Sequence, residues 1–192
     1  MHLQLNLASG RDVWLRPYTE DDVDLLFNAV HGSIGHISLW MEWCHANYSR
    51  IEAKTWLGLR KPAWQAGKEF DFAIVDGTNR ILGGCGLNEV RLDRFACNLG
   101  YWVCQGETGQ GIATAATKAV AQFGFQQLGL QRAEIVAAVG NAASQRVAEK
   151  AGAVREGIAR RRLMLHHRLF DAVVFSLTPP DLDIDATDKN EE

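Results

Sequence analysis

A mixed α/β (α+β) fold of about seven strands and about four helices is what this sequence predicts, on three observations. Apolar residues recur at three- and four-residue steps in stretches that begin with capping residues, as amphipathic helices do. Other stretches alternate apolar and polar residues, or run apolar on both faces, as strands do. In chain order these signals read β-α-α-β-β-β-α-β-α-β-β with no internal repeat, and 192 residues suit one domain with a real core.

The first strand is RDVWLRPY (11–18), ending at Pro17. TEDDVDLLFNAV follows, with Thr19 as N-cap, acids in the first turn, and Val23, Leu26, Phe27 and Val30 on one stripe. The pattern then loosens through HGSIGHISLWMEWCHANY (31–48). A second helix spans Ser49 to Ala66, its end left open by Gly58, Pro62 and Gly67. EFDFAIVDGTNRILGGCGLNEV is a hairpin: Phe70, Phe72 and Ile74 alternate with Asp71 and Ala73, and DGTN supplies the turn. FACNLGYWV is the next strand. A helix from about Gln110 aligns Ile112, Ala116, Ala119 and Phe123. RAEIVAAVG reads as a central strand covered on both faces. NAASQRVAEKAG is a short helix stopped by Gly152, and two final strands meet near His166 to Leu169.

Composition narrows the function classes. Hydrophobic residues make up 47% and charged residues 22%, ordinary for a globular domain. No apolar run is long enough to cross a bilayer, and the N-terminus lacks a signal-peptide pattern, so a cytoplasmic location without membrane contact is expected. Cys44, Cys85, Cys97 and Cys104 form no metal-binding spacing, so no metal is expected and the thiols are expected to be inert core residues. The net charge is −3, but the stretch 179–192 sets six acids against Lys189 and carries −5, leaving +2 on 1–178. That body offers no electrostatic footprint for nucleic acid. The division expected is a single domain over 1–178 and an acidic, disordered tail over 179–192.

The chemistry concentrates between Leu99 and Phe125, where a strand feeds a helix through a loop holding Gly109 and Gly111. Such a junction leaves the first-turn amides unpaired, an anion site. It is not a P-loop, since Ile112 and Ala113 stand where Lys and Ser/Thr are needed. Nor is it a Rossmann fingerprint: Thr114 takes the third glycine's place, and the loop follows a β-meander.

A second block, VAAVGNAASQRVAEKAGAVREG, decides between the anions. With GYWV…GQGIATAA, this block resembles the GNAT superfamily of acyl-CoA-dependent N-acetyltransferases, and within it the RimJ/RimL-like branch. HISLWMEW is similar to that branch's substrate-side segment, and the resemblance covers roughly Arg11 to Leu177. It implies a GNAT-type, mostly antiparallel sheet. The activity implied is transfer of an acetyl group from acetyl-CoA to a primary amine, on a protein N-terminus or a small molecule, by direct attack on the thioester. Relatives often dimerise, so a homodimer is among the expectations.

The family's pyrophosphate loop falls on Thr108, Gly109, Gln110, Gly111, Ile112 and Ala113, with Thr114 next in the helix; Thr108 replaces the usual Gln or Arg. The resemblance puts Asn141 on the pantetheine arm and Ser144 near the thioester sulfur as proton donor. Ser144 could instead bond its own helix backbone. Arg146, two positions on, is within reach of a phosphate. The backbone around Trp102 and Val103 is implied to pair with pantetheine and to offer an N–H to the developing oxyanion. His36, Trp40 and Trp43 are implied to wall the acceptor pocket. Three arginines, Arg160 to Arg162, are expected near its mouth, with Arg160 and Arg162 on one side of the strand.

The general base is less plain. Some RimL-like relatives carry a glutamate where this chain has Leu163, six residues past Gly157. Glu89 is the leading substitute, with His36 and His45 behind it. Thr108 and Leu163 keep open an alternative, a non-catalytic acyl-CoA-binding or regulatory relative.

Overall fold

The computed structural model describes residues 2–184. One sheet organises them, formed by β1 (Leu3–Leu5), β2 (Val13–Pro17), β3 (Phe70–Asp76), β4 (Ile81–Arg91), β5 (Ala96–Val103), β6 (Arg132–Ala138), β7 (Val154–Leu165) and β8 (Arg168–Leu177). The helices are α1 (Val23–His31), α2 (Ile34–Ile37), α3 (Arg50–Gln65), α4 (Ile112–Leu128) and α5 (Ala142–Ala151). The described residues thus form eight strands and five helices, slightly above the about seven and about four expected. The additions are β1, three residues paired with β2, and α2, a single turn; both are too short to show a period.

Spatial order is β1-β2-β3-β4-β5-β6-β8-β7, antiparallel except where β5 meets β6. Strand alternation sorts two cores. Phe72, Ile74, Leu87 and Leu99 face α4 and α5, whereas Ala73, Val75 and Ile81 face Leu26, Val30 and Leu57 of α1 and α3. All four cysteines are buried and free.

Local chemistry sets the boundaries. Asp22 accepts two 2.7 Å bonds from Arg16 and one from the Thr19 N–H, fixing the entry to α1. Ser49 and Glu52 form a capping box at the start of α3. That helix runs through Pro62 to Gln65. Its end is anchored by Trp64, whose ring lies 5.0 Å from Phe70 and 5.1 Å from Phe72.

The expected tail boundary is corrected. Pro179–Leu182 is a 3-10 turn capped by Thr178 and Asp181, and Leu182 and Ile184 pack against the core. The chain stays packed to Ile184 because apolar residues alternate with the acids. The rest of the expected tail, 185–192, lies outside the described residues.

The sheet's decisive feature is a short parallel ladder. β5 pairs with β6 only over Ala96–Asn98 and Arg132–Glu134. Beyond Asn98, β5 runs on to Val103 and β6 to Ala138 without pairing to each other, so the sheet opens between them.

Candidate active site

The loop after β5 is braced from below. The Gln105 N–H donates to the buried Ser33 hydroxyl at 3.1 Å. Glu107, only 7% exposed, accepts from Arg11 at 2.5 Å and from Arg80 at 2.7 Å. Those two guanidinium groups, Arg11 first, hold its carboxyl below the usual glutamate range against the opposing effect of burial. Above this base, Gly109 and Gly111 adopt φ of 76° and 79°, the left-handed region that glycine enters without strain. A Cβ at either would meet nothing within 4 Å, so the loop's outer surface is open. Gly111 is the N-cap of the 17-residue α4, whose first-turn amides face that opening.

A cleft of about 480 Å³ runs from this loop along the open side of β5 to α5. Gly109, Gly111, Ile112, Ala113 and Thr114 line one end; Trp102, Val103, Asn141, Ser144 and Arg146 line the rest. Asn141 caps α5, its Oδ1 accepting from the Ser144 N–H at 3.1 Å. Tyr101 Oη lies 2.9 Å from the Ser144 carbonyl oxygen and 3.1 Å from the Ser144 hydroxyl. Burial pushes the Tyr101 phenol up to about 12, the Ser144 bond opposing it.

A second cavity, of about 680 Å³, lies on the α1/α3 face and shares Met41, Tyr101 and Trp102 with the first. Tyr18, Trp43, Tyr48 and Trp56 give it aromatic walls; Glu52, Arg60, Glu69, Asp71 and Glu89 give it charge. Two glycines of β4 keep it open. A Cβ on Gly84 would lie 2.6 Å from Trp102 Nε1 and 2.7 Å from the Tyr18 hydroxyl; one on Gly86 would collide with the Asp71 carboxylate.

Comparison with known families fits this arrangement. The Acetyltransferase (GNAT) domain model matches residues 12–154. The chain belongs to the GNAT family. Among relatives of this GNAT chain is a Bacillus subtilis (strain 168) protein named "Putative ribosomal N-acetyltransferase YdaF", 40% identical over 104 residues, 54% of this chain and 56% of that one. The chain thus matches little more than half the length of that curated relative. A Vibrio cholerae structure titled as a "putative ribosomal-protein-serine acetyltransferase" is 28% identical at a TM-score of 0.78, covering 92% of this chain and 98% of its own. The RimL ribosomal L7/L12 alpha-N-protein acetyltransferase in complex with coenzyme A has a TM-score of 0.83 at 21% identity, covering 95% and 99%, and shares the fold.

Within this GNAT fold, the structure gathers most of the residues named from sequence, with exceptions. Gln110 turns its side chain away, onto the Gly106 carbonyl and Arg11, at 3.2 and 2.8 Å. His36 and Trp40, expected on the acceptor side, line the first cleft, and Trp40 packs against Gly140. Only Trp43 of that trio lines the second cavity, 44% exposed and edge-on to Trp102 at 6.0 Å. Glu89 sits at the second cavity's exposed rim.

The three arginines do not reach the site. A bulge between Ala159 and Leu163, with Arg161 at φ 53°, breaks their alternation, and neither cavity is lined by them or by Leu163. Sequence reasoning did not find Glu107, Arg11, Arg80, Tyr101, Arg60, Asp71 or Lys150. Lys150 alone had a local signal, one helical turn after Arg146 on α5, and it lines the same cleft. Among the described residues no cluster of His, Cys, Asp or Glu could hold a metal ion, and no helix is long and apolar enough to cross a membrane.

Proposed function

We propose that this chain transfers the acetyl group of acetyl-CoA to a primary amine, with one cavity for each substrate. The observation that carries this reading is the opening beside β5: it exposes an unpaired strand edge to a cleft that ends at open amides. A second cavity meets that cleft at Tyr101 and Trp102.

The first cleft fits acetyl-CoA. Backbone N–H groups from Gly109 through Gln110, Gly111, Ile112, Ala113 and Thr114 receive the diphosphate, with the α4 dipole behind them. Gln110 contributes its amide alone, since its side chain is engaged by Arg11. Arg146 and Lys150 supply positive charge for the remaining phosphate, the 3′-phosphate. Trp102 and Val103 pair through their backbone with the pantetheine arm, as an added strand would. Asn141 turns its Nδ2 to the arm because its Oδ1 is engaged by the Ser144 N–H. His36 and Trp40 close this passage. Ser144 returns a proton to the departing sulfur.

The second cavity fits an amine. Its excess of carboxylates attracts an ammonium group, Glu89 meets it at the rim, and Trp43 with Trp102 walls the path to the thioester. The B. subtilis relative is named a ribosomal N-acetyltransferase and the V. cholerae one a ribosomal-protein-serine acetyltransferase, which favours a protein N-terminal amine in the cytoplasm as acceptor. An α-amine ionises near pH ~7.7–8.0 and needs modest help to lose its proton.

Free thiol released from acetyl-CoA, assayed against a panel of small amines and peptides with free or blocked N-termini, tests this. Release that requires a free amine is expected. Acetyl-CoA binding without turnover on any amine would leave an acyl-CoA-binding protein, and thermal stabilisation by ATP but not acetyl-CoA would overturn the cofactor assignment.

A further inference from the structure

The second cavity has a gap in its floor that a neighbouring strand fills. Gly86 of β4 stands opposite Asp71 on β3 and opposite Gly100 on β5. Neither glycine raises a side chain, so the Asp71 carboxylate leans across β4 into the space a β4 side chain would take. Its direction is toward β5, the strand whose far edge is open.

The two oxygens of Asp71 have different environments. Oδ2 is clamped by Arg60 Nη1 at 2.5 Å, the nitrogen that also holds Glu69 at 2.5 Å. Arg60 is itself fixed: its Nε donates to the Trp56 carbonyl at 3.1 Å, and its guanidinium lies 4.4 Å over the Trp56 ring. Oδ1, above Gly86, takes no hydrogen bond among the described residues, and no buried polar atom there lacks a partner, so Oδ1 opens onto the cavity.

We propose that Asp71 is the base for the amine, with Arg60 as its positioning residue. The inference rests on the acetyl-transfer reading above. An ammonium group in the cavity gives one N–H proton to Asp71 Oδ1, and the freed lone pair attacks the thioester carbonyl carbon. The C–N bond forms and the C–S bond breaks. Sulfur leaves with the bonding pair and takes the nitrogen's second proton by way of the Ser144 and Tyr101 hydroxyls. The proton on Asp71 returns to solvent through the cavity mouth.

The surroundings suit this task. Burial raises the Asp71 carboxyl above the ordinary aspartate range, Arg60 opposes that, and the Glu69 charge adds to it, which makes the carboxylate a stronger base. Tyr18, on the same face, and Cys85, next to Gly86 on β4, are neutral groups, both raised chiefly by burial. Glu52 with its partner His45 lies across the cavity. Glu89, the other carboxylate on β4, is exposed, has φ 50°, and makes no hydrogen bond or ion pair among the described residues.

The test compares two acceptors at one pH: an alkylamine that is protonated there, and an amine of similar size whose conjugate acid ionises below it. A base matters only for the first. Asp71→Asn and Asp71→Ser are expected to lose about a hundredfold or more in kcat/KM on the protonated amine. They are expected to keep near wild-type rates on the neutral amine and an unchanged KM for acetyl-CoA. Asp71→Glu recovers part of the loss, and Glu89→Gln, at the cavity rim, shows a smaller amine-selective loss than either carboxylate-free variant. Using two carboxylate-free variants keeps the test open should one fail to fold. Equal losses on both amines, no loss on either, or a larger amine-selective loss in Glu89→Gln than in Asp71→Asn would overturn the assignment of Asp71 and leave acetyl transfer standing. A wild-type protein that acetylates neither amine would overturn both.

Discussion

Tyr101 reaches across from β5 to α5 and touches Ser144 twice, at its carbonyl oxygen (2.9 Å) and its hydroxyl (3.1 Å). With the tyrosine proton on the carbonyl, the serine hydroxyl must donate to the phenol oxygen; with the tyrosine proton on the serine oxygen, the serine is free to donate into the cleft. The pair is a two-position relay beside the open edge of β5. It also ties the strand expected to carry pantetheine to the helix expected to hold the thioester.

Tyr101→Phe is therefore expected to lower kcat about tenfold. That is below the ~10²–10⁴ of strong acid–base help, since a thiol ionising near ~8.5 leaves passably unaided. Ser144→Ala should cost a similar factor, and the double variant little more, because the two hydroxyls act in series. Steady-state rates at pH 7 and pH 9 check this: the deficit should shrink at the higher pH, where the thiolate needs no proton.

Gly111→Val should weaken acetyl-CoA binding by tenfold or more, about 1.4 kcal/mol. The side chain would project into the space above the loop where a Cβ meets nothing. Folding also suffers, because φ is 79° and a residue with a Cβ is strained there by about 1–2 kcal/mol. Gly106→Ala, also in open space but without the positive φ, is the control. Calorimetric binding and thermal melts on both variants separate the two effects. An acetyl-CoA affinity unchanged in Gly111→Val would mean that the glycine serves backbone geometry alone.

The cofactor half of this site was legible because its determinants are local. Gly109 and Gly111 announce a loop-to-helix turn and an anion site, and the resemblance of that window and of the Asn141–Ser144 window to the GNAT family supplies the ligand. The acceptor half was hidden because its determinants are not local. Asp71 read as the polar member of an alternating strand, and only the β3–β4 register puts it over Gly86. Likewise Glu107, Arg11 and Arg80 lie 27 to 96 residues apart and meet only in the fold. The resemblance implies one acceptor-side role for the whole segment holding His36, Trp40 and Trp43, but α2 and the turn after it divide the segment, with His36 and Trp40 lining the first cleft and Trp43 the second cavity.

Acid should loosen the cofactor loop before it unfolds the protein at large. Glu107 is held below its unfolded value of ~4.3 by Arg11 and Arg80, so its contribution is present above that pH and lost as pH falls through the lower folded value. Glu156, bonded to Arg132 and Ser176, ionises at about 2 and gives way later on the same descent. Melting temperature and acetyl-CoA affinity should both fall from about pH 4.5 downward. Glu107→Gln should lower both already at pH 7 and flatten the upper part of that slope. A wild-type profile without a decline between pH 4.5 and 2 would contradict this account.

The sign reverses at Asp71. Its carboxyl is raised in the folded state, mainly by burial, so ionising it there costs more than in the unfolded chain. The penalty is absent below the unfolded value of ~3.9, grows as pH rises to the folded value, and is constant above it. Asp71→Asn removes the penalty while its amide oxygen can still accept from Arg60, which also keeps Glu69. The variant should therefore melt no lower than wild type at pH 7, while losing activity on protonated amines. The difference in melting temperature should close as pH falls below about 4. A carboxylate that serves only to pair Arg60 would behave the other way: its loss would lower the melting temperature at neutral pH, because a part-buried cation would lose one of its two anionic partners. Thermal melts of the two proteins from pH 3.5 to 8 decide between a strained functional carboxylate and a structural ion pair.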